Sequence, residues 1–207
     1  MHVMQETGPV GLRASKKQAT GRALSAAART LALEHGFDDV TIDMICAAAG
    51  VSTRTFFNYF ESKGDAMVGQ PMPLGDERSR AVFVAGGPSG ELLADIVTLV
   101  DPTTFLIAER RDDLRIALAL VEAEPRVLAL QLARGAEMEL ELARLIAARQ
   151  ELAEPDYGCT TTAALAQTVL RCALFEWFRA DRDDDPGPYL RQASAALLAL
   201  ARPSPHS

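Results

Sequence analysis

Arg54 and Asn58 stand four positions apart in the segment Thr53 to Phe60, and both are side chains that can read a base edge. Arginine donates in bidentate fashion to guanine O6 and N7, and asparagine pairs with adenine N6 and N7. At 3.6 residues per turn they share one helix face with Thr55 beside them, while Phe56 and Phe60 share the opposite face. Phe57 and Tyr59 flank the polar face, placed to touch a thymine methyl, a sugar or a phosphate. Lys63 follows at a predicted helix start, where the dipole disfavours a cation. A neighbouring anion explains a lysine there, and a nucleic-acid phosphate is such an anion.

The elements that must hold these side chains follow from local rules. Thr41 is a helix N-cap, with Asp43 in the first turn. Val40 and Ile45 are spaced for a hydrophobic staple across that cap. Ala47, Ala48 and Ala49 allow another helix to approach closely, and Gly50 supplies a left-handed stop. Val51 then points inward and Ser52 caps the next helix. Ser62-Lys63-Gly64-Asp65 fits a capping box that opens a further helix at Lys63. Two short helices across a glycine turn, polar on the outer face of the second, form a helix-turn-helix of the kind that docks in the DNA major groove.

Upstream, Ser15-Lys16-Lys17-Gln18 is another capping box, predicting a helix from there to His35 that stops at Gly36. Its stripe of Leu24, Ala27, Ala28 and Leu31 covers the two-helix motif and completes a three-helix head, with Phe37 closing the end. Before residue 31 the basic residues are Arg13, Lys16, Lys17, Arg22 and Arg29, against one acidic residue, Glu6. Such an arm can track phosphates or enter an adjacent minor groove, and Lys16 and Lys17 are its nominated contacts. A merely solubilising tail is the alternative for residues before Ser15.

The stretch GFDDVTIDMICAAAGVSTRTFFNYFESKGDA resembles the N-terminal domain of TetR/AcrR-family transcriptional regulators. The matching features are the glycine-aromatic pair after helix 1, the V-T cap, the A-x-x-A-G-V-S turn, the aromatic-rich recognition helix and S-K opening helix 4. The resemblance is specific over about Ala23 to Met67. It implies an all-helical homodimer whose DNA-binding head is joined to a larger C-terminal body that binds an inducer. By position, Thr41, Thr53, Arg54, Phe57, Tyr59 and Lys63 fall where the family contacts DNA, and Ser52, Thr55 and Asn58 complete the DNA-facing set. The chain departs from the family pattern in four places. Phe57 replaces a usual tyrosine, Tyr59 a common histidine, Gly64 an acidic residue and Cys46 an alanine. Gly64 is expected to weaken the start of helix 4, and the operator sequence is not predictable.

Length and charge agree with that class. The 207 residues carry a net charge of −7 with 48% apolar residues, enough for a core. Residues 1 to 65 hold seven basic and seven acidic residues, leaving 14 basic and 21 acidic for the rest. A neutral head on an acidic body is presented to DNA while the body is repelled. No run of about 18 apolar residues predicts a membrane span and no secretory signal opens the chain, so a cytoplasmic location is expected. Cys46, Cys159 and Cys172 are read as buried thiols, and with the scattered His2, His35 and His206 they predict neither a metal site nor a cofactor.

The domain reading is a DNA-binding head over residues 1–70 and a helical effector-binding and dimerisation body over 71–207. Pro71, Pro73 and Gly75 mark the break, and Gly86 to Gly90 a second one. Beyond it, helices are predicted over Glu91 to Val100, Thr103 to Glu124, Pro125 to about Ala153, Thr160 to Ala180 and Tyr189 to Ala201. The stripe of the long helix is Leu128, Leu132, Leu142, Leu145 and Ile146. The last two helices are the predicted dimer hairpin, with Leu165, Val169, Leu170, Leu174, Ala193, Leu197 and Leu200 at the interface. Phe105, Leu120, Leu128, Met138, Phe175 and Trp177 are the candidate liners of an effector pocket for a hydrophobic or amphipathic small molecule.

The fold class expected is therefore all-α, a helix-turn-helix head plus a larger helical body. The partners expected are double-stranded DNA, a second copy of the chain and a small-molecule effector, without a membrane. The function expected is a ligand-responsive, sequence-specific regulator, most simply a repressor released from a palindromic operator. No G-x-S-x-G, P-loop or dinucleotide fingerprint supports an enzyme. The rival readings are a helical protein-interaction module, which leaves Arg54, Asn58 and Lys63 without a role, and a DNA-binding dimer without an inducer.

Overall fold

The computed structural model describes residues 9–70, 74–108, 111–180 and 185–201, with side chains described from Lys16 and omitted over 102–110 and beyond Leu197. Among these residues every regular element is an α-helix. The helices are α1 (Pro9–His35), α2 (Ile42–Ala49), α3 (Thr53–Phe57), α4 (Lys63–Val68) and α5 (Glu77–Val84), then α6 (Leu92–Ala108), α7 (Arg111–Ala123), α8 (Pro125–Arg149), α9 (Tyr157–Arg179) and α10 (Gly187–Ala201). None of the described helices is long and apolar enough to cross a membrane.

The chain divides into two compact units, one of Met1–Pro71 with Asp112–Leu132, the other of Met72–Arg111 with Ala133–Ser207. The first unit thus takes in a segment from later in the chain, Asp112–Leu132, besides the residues up to Pro71. Its cause is apolar burial: Leu120 of α7 and Val127 of α8 lie in one core with Leu24, Ala28, Ile45, Phe56, Phe60 and Met67. Two leucines drawn into the long-helix stripe, Leu128 and Leu132, instead face outward, whereas Leu142 and Ile146 of the same helix are buried in the second unit. A helix whose early and late turns serve different cores need not keep one buried face.

Other boundaries also differ from the sequence reading. Helix α1 begins at Pro9 rather than at Ser15, with proline tolerated in a first turn where its missing N–H costs nothing. Pro102 does not end a helix, because α6 continues through it to Ala108. Helix α8 ends at Arg149, short of Ala153, and Glu151 takes a left-handed φ of 58° just beyond it. Helix α9 starts at Tyr157, within the stretch read as a loop, because the Asp156 carboxylate accepts from the Cys159 N–H as an N-cap.

The second unit packs α6, α9 and α10 together with α5 and the later turns of α8, around Phe83, Ile96, Leu99, Ile146, Ala163 and Leu170. Arg149 organises its upper corner. The guanidinium donates to the carbonyls of Phe83 in the last turn of α5 and of Gly86 and Gly87 just beyond it, and to Asp95 Oδ2 at 2.7 Å. Ser89 donates to the other Asp95 oxygen through both its N–H and its hydroxyl. Burial alone would raise the Asp95 pKa, yet the hydrogen bonds from Ser89 and Arg149 outweigh it and hold the carboxyl below its ordinary value. A buried ion pair survives here because each partner's remaining valences are satisfied.

Candidate nucleic-acid interface

The recognition segment is built from caps outward. Thr41 Oγ1 accepts from the Met44 N–H and starts α2. Gly50 takes the left-handed φ of 67° that lets the chain turn sharply, and its N–H returns to the carbonyls of α2. Ser52 Oγ accepts from the Thr55 N–H and starts α3, while Thr55 Oγ1 lies 2.9 Å from Ser52 Oγ. Helix α3 ends at Phe57 with Asn58 as its C-cap, so the segment read as helical to Phe60 is a five-residue helix with a turn after it. Even so, Phe56 and Phe60 are buried with ring centroids 5.8 Å apart. Full burial of a phenylalanine contributes about 1.5–3 kcal/mol, which anchors so short a helix.

With those two rings inward, the residues nominated for DNA turn outward. Ser52, Thr53, Arg54, Phe57 and Asn58 are exposed, and Thr55 and Tyr59 partly so. Phe57 leaves 56% of its surface open, unusual for a large apolar ring and consistent with a partner surface. Lys16 and Lys17 are exposed on α1, and Thr41 is exposed at the start of α2. One contact had no signal in the sequence: the Thr53 hydroxyl donates to Asp43 Oδ1 at 3.1 Å. Behind it lies Cys46, whose thiol is pushed up by burial despite a hydrogen bond with Thr53.

Lys63 has a partner other than the anion the sequence pointed to. Its ammonium donates to the carbonyls of Phe37, Asp38 and Val40 at 2.8, 3.0 and 2.8 Å, and sits 4.9 Å from the Phe37 ring centroid. An ammonium has three donors, so these carbonyls occupy all of them. A cation at the helix start is thus explained within the head, by the α1–α2 turn it ties down. Ser62 Oγ accepts from the Asp65 N–H and donates to the Asp65 carboxylate, the cap expected there. Gly64 has a packing role the sequence did not show: a Cβ at this position would meet Leu130 Cδ1 at 2.6 Å, so glycine lets α8 approach.

Arg29, grouped by sequence with the basic arm, is a correction. It is 3% exposed, and its guanidinium donates to the carbonyls of Met67 and Val68 at 2.6 and 2.7 Å and to that of Asp113 at 3.2 Å. It caps the end of α4 from inside the core, where a cation suits the helix dipole, and does not present itself to a phosphate.

The nominated effector liners divide between the two units and differ in burial. Leu120 fills the head core, Leu128 is exposed, Trp177 is buried in the second unit, Met138 packs on that unit's core and Phe175 is 58% exposed. The side chain of Phe105 lies outside the described residues. A narrow apolar cleft in the second unit is lined by another set, among them Leu93, Val97, Leu142, Ala166, Gln167 and Ser194, and has room for about one water, 10 Å³. The nominated dimer residues divide similarly. Val169 and Leu170 are buried in the subunit's own core, and Leu174, Ala193 and Leu197 pack partly against it. Leu165 stays 45% exposed, and the side chain of Leu200 lies outside the described residues. Helical phase is the reason, since a helix this apolar shows its inward face only by contact. Of the cysteines, Cys46 and Cys159 are buried as expected, but Cys172 is exposed. Among the described residues no three His, Cys, Asp or Glu side chains cluster as metal ligands do.

A capped two-helix motif, a glycine turn and an outward Arg, Asn and aromatic set define a helix-turn-helix DNA-binding regulator. Residues 24–65 match the family model described as bacterial regulatory proteins, tetR family. Over 187 residues the chain is 33% identical to the HTH-type transcriptional regulator TcmR of Streptomyces glaucescens, covering 85% of this chain and 80% of that protein. The chain belongs to the tetR family of transcriptional regulators. Among solved structures, the SmeT–triclosan complex is similar at 17% identity and a TM-score of 0.47, covering 86% of this chain and 91% of that one.

Proposed function

We propose that this regulator is a homodimer that binds a palindromic operator, represses transcription from it, and is released by a hydrophobic or amphipathic small molecule. The observation that carries specific DNA binding is the outward presentation of Arg54 and Asn58 by α3 and its C-cap, anchored by the buried Phe56 and Phe60. Such a helix offers only a few side chains to base edges, and two copies about one DNA turn apart, roughly 34–36 Å, supply the specificity one lacks.

The dimer face that α9 supports is its outer one. Leu165, Thr168, Cys172 and Phe175 recur at spacings of three and four and are all exposed. An open ring on the same face as an exposed leucine about three turns away is the kind of anchor a second copy covers. The effector would act on the second unit, whose cleft is lined among the described residues by apolar side chains with Gln167 and Ser194 and must widen to admit a drug-sized molecule. A ligand preferring one placement of the two heads shifts the population away from DNA.

The test is selection of bound sequences from random duplex DNA near physiological salt. Enrichment of a palindrome supports the reading, and its half-site spacing gives the head separation. Enrichment of nothing, with only weak salt-sensitive binding, counts against it and favours a helical protein-interaction module.

A further inference from the structure

Residues far apart in the chain converge on the turn between α1 and α2. Arg126, in the first turn of α8, forks onto Asp38, with Nη1 at 2.6 Å from Oδ1 and Nη2 at 2.7 Å from Oδ2. The same guanidinium lies 4.8 Å from the Phe37 ring centroid, and its Nε is 3.4 Å from the carboxylate of Glu124, the residue just before α8. On the other side Lys63 of α4 approaches the Phe37 ring and binds the carbonyls of Phe37, Asp38 and Val40. Phe37 is thus held by two cations, one from α4 and one from α8. Leu130, one turn beyond Arg126, presses on Gly64, so α8 touches both ends of this clamp.

Val40 and Thr41 follow directly from the clamped turn, and Thr41 caps α2. The pitch of α2 sets where α3 enters the groove, so fixing this turn fixes the recognition helix. A fork is the geometry suited to that task, because a planar guanidinium on a carboxylate constrains orientation where a lysine supplies only charge.

We propose that Arg126 is a positioning residue for DNA recognition, holding the α1–α2 turn through Asp38 and Phe37 so that Thr41 and α3 meet the duplex in register. This rests on the DNA-binding reading above. Arg126 lies 88 residues from Asp38 and outside the helix-turn-helix, in a segment the first unit borrows from later in the chain. In this role Arg126 acts through the turn and makes no base or phosphate contact of its own.

The experiment compares the full chain with Asp38→Asn, Arg126→Met and the double variant, each titrated with the duplex recovered by selection at several salt concentrations. Both singles are expected to weaken binding about five- to tenfold, and the double no further than the weaker single, as for two halves of one device. The salt slope should stay that of the wild type, with melting temperatures nearly unchanged because the pair is exposed. A slope lower by about one for Arg126→Met, with tighter binding by Asp38→Asn, would make Arg126 a phosphate contact and overturn the proposal. Wild-type affinity in both singles would overturn it too. A wild-type chain that prefers no duplex removes the DNA reading, and this inference with it. In that case hydrogen exchange of amides 36–41, expected faster in Arg126→Met, reports whether the clamp itself exists.

Discussion

The Thr53 hydroxyl donates to Asp43 Oδ1 at 3.1 Å, tying the first residue of the recognition helix to the first turn of the helix before it. The contact fixes the Thr53 rotamer before DNA arrives, so less side-chain entropy is lost on binding. On the proposed DNA-binding reading it also places a carboxylate on the surface that would face a polyanion.

Asp43→Asn and Asp43→Ala should therefore separate. Asparagine keeps an acceptor for Thr53 and removes the negative charge, so affinity for all duplexes rises while sequence preference stays. Alanine also removes the charge but frees Thr53, at a loss of about 0.5–1.5 kcal/mol of discrimination at the position it reads. Equilibrium titration against the selected duplex and its single-base variants distinguishes the two. Identical behaviour of both variants would leave the contact without a function.

Arg54→Ala should cost about 1–3 kcal/mol on the selected sequence and little on unrelated DNA, since a base reader contributes to discrimination. Competition titration measures both. Binding to the operator like wild type would remove Arg54 from the reading set.

Lys63 should behave as a structural residue at least as much as a phosphate contact. Hydrogen bonds from a charged donor contribute about 1.5–3 kcal/mol, so Lys63→Ala should lower the melting temperature of the chain without DNA. A variant that melts like wild type but binds DNA with a slope reduced by about one would instead assign the ammonium to a phosphate.

The Asp95–Arg149 pair predicts sensitivity to acid. The folded Asp95 pKa is depressed, so its stabilisation is present above the unfolded carboxylate value near 3.9 and lost as pH falls through the lower folded value. Unfolding followed by Trp177, the single tryptophan and a buried one, should set in below about pH 4. Asp95→Asn, which leaves the Arg149 cation buried beside a neutral amide, should lower stability at neutral pH by about 3–5 kcal/mol and flatten the acid limb. An unchanged limb would place the acid sensitivity elsewhere.

What the sequence made legible was local. Thr41, Ser52 and Ser62 cap because a hydroxyl at that offset finds its own helix's N–H groups, and Gly50 turns because it lacks a Cβ. Phe56 turns inward by helical phase, whereas Phe60, read as part of the same helix, reaches the core from the turn beyond α3. What stayed hidden depends on partners distant in the chain. Arg29 and Lys63 look like phosphate-seeking cations until the carbonyls of α4 and of the α1–α2 turn are seen beside them. Nothing near Arg126 marks Asp38 as its partner. In α9, apolar side chains surround most of the helix, so only packing separates buried Leu170 from exposed Leu165 and Phe175.

Phe175→Glu should convert the chain to a monomer if α9 forms the dimer face, because a buried charge without a partner is costly at an interface core. Sedimentation at micromolar concentration checks it. A dimer that persists would move the interface off the Leu165–Phe175 face.

The most direct test of paired, base-specific recognition uses the selected palindrome and the same duplex with one half-site scrambled, titrated under identical salt. Paired recognition predicts that scrambling one half lowers affinity at least a hundredfold, toward the level of unrelated DNA. Equal affinity for the two duplexes would contradict it.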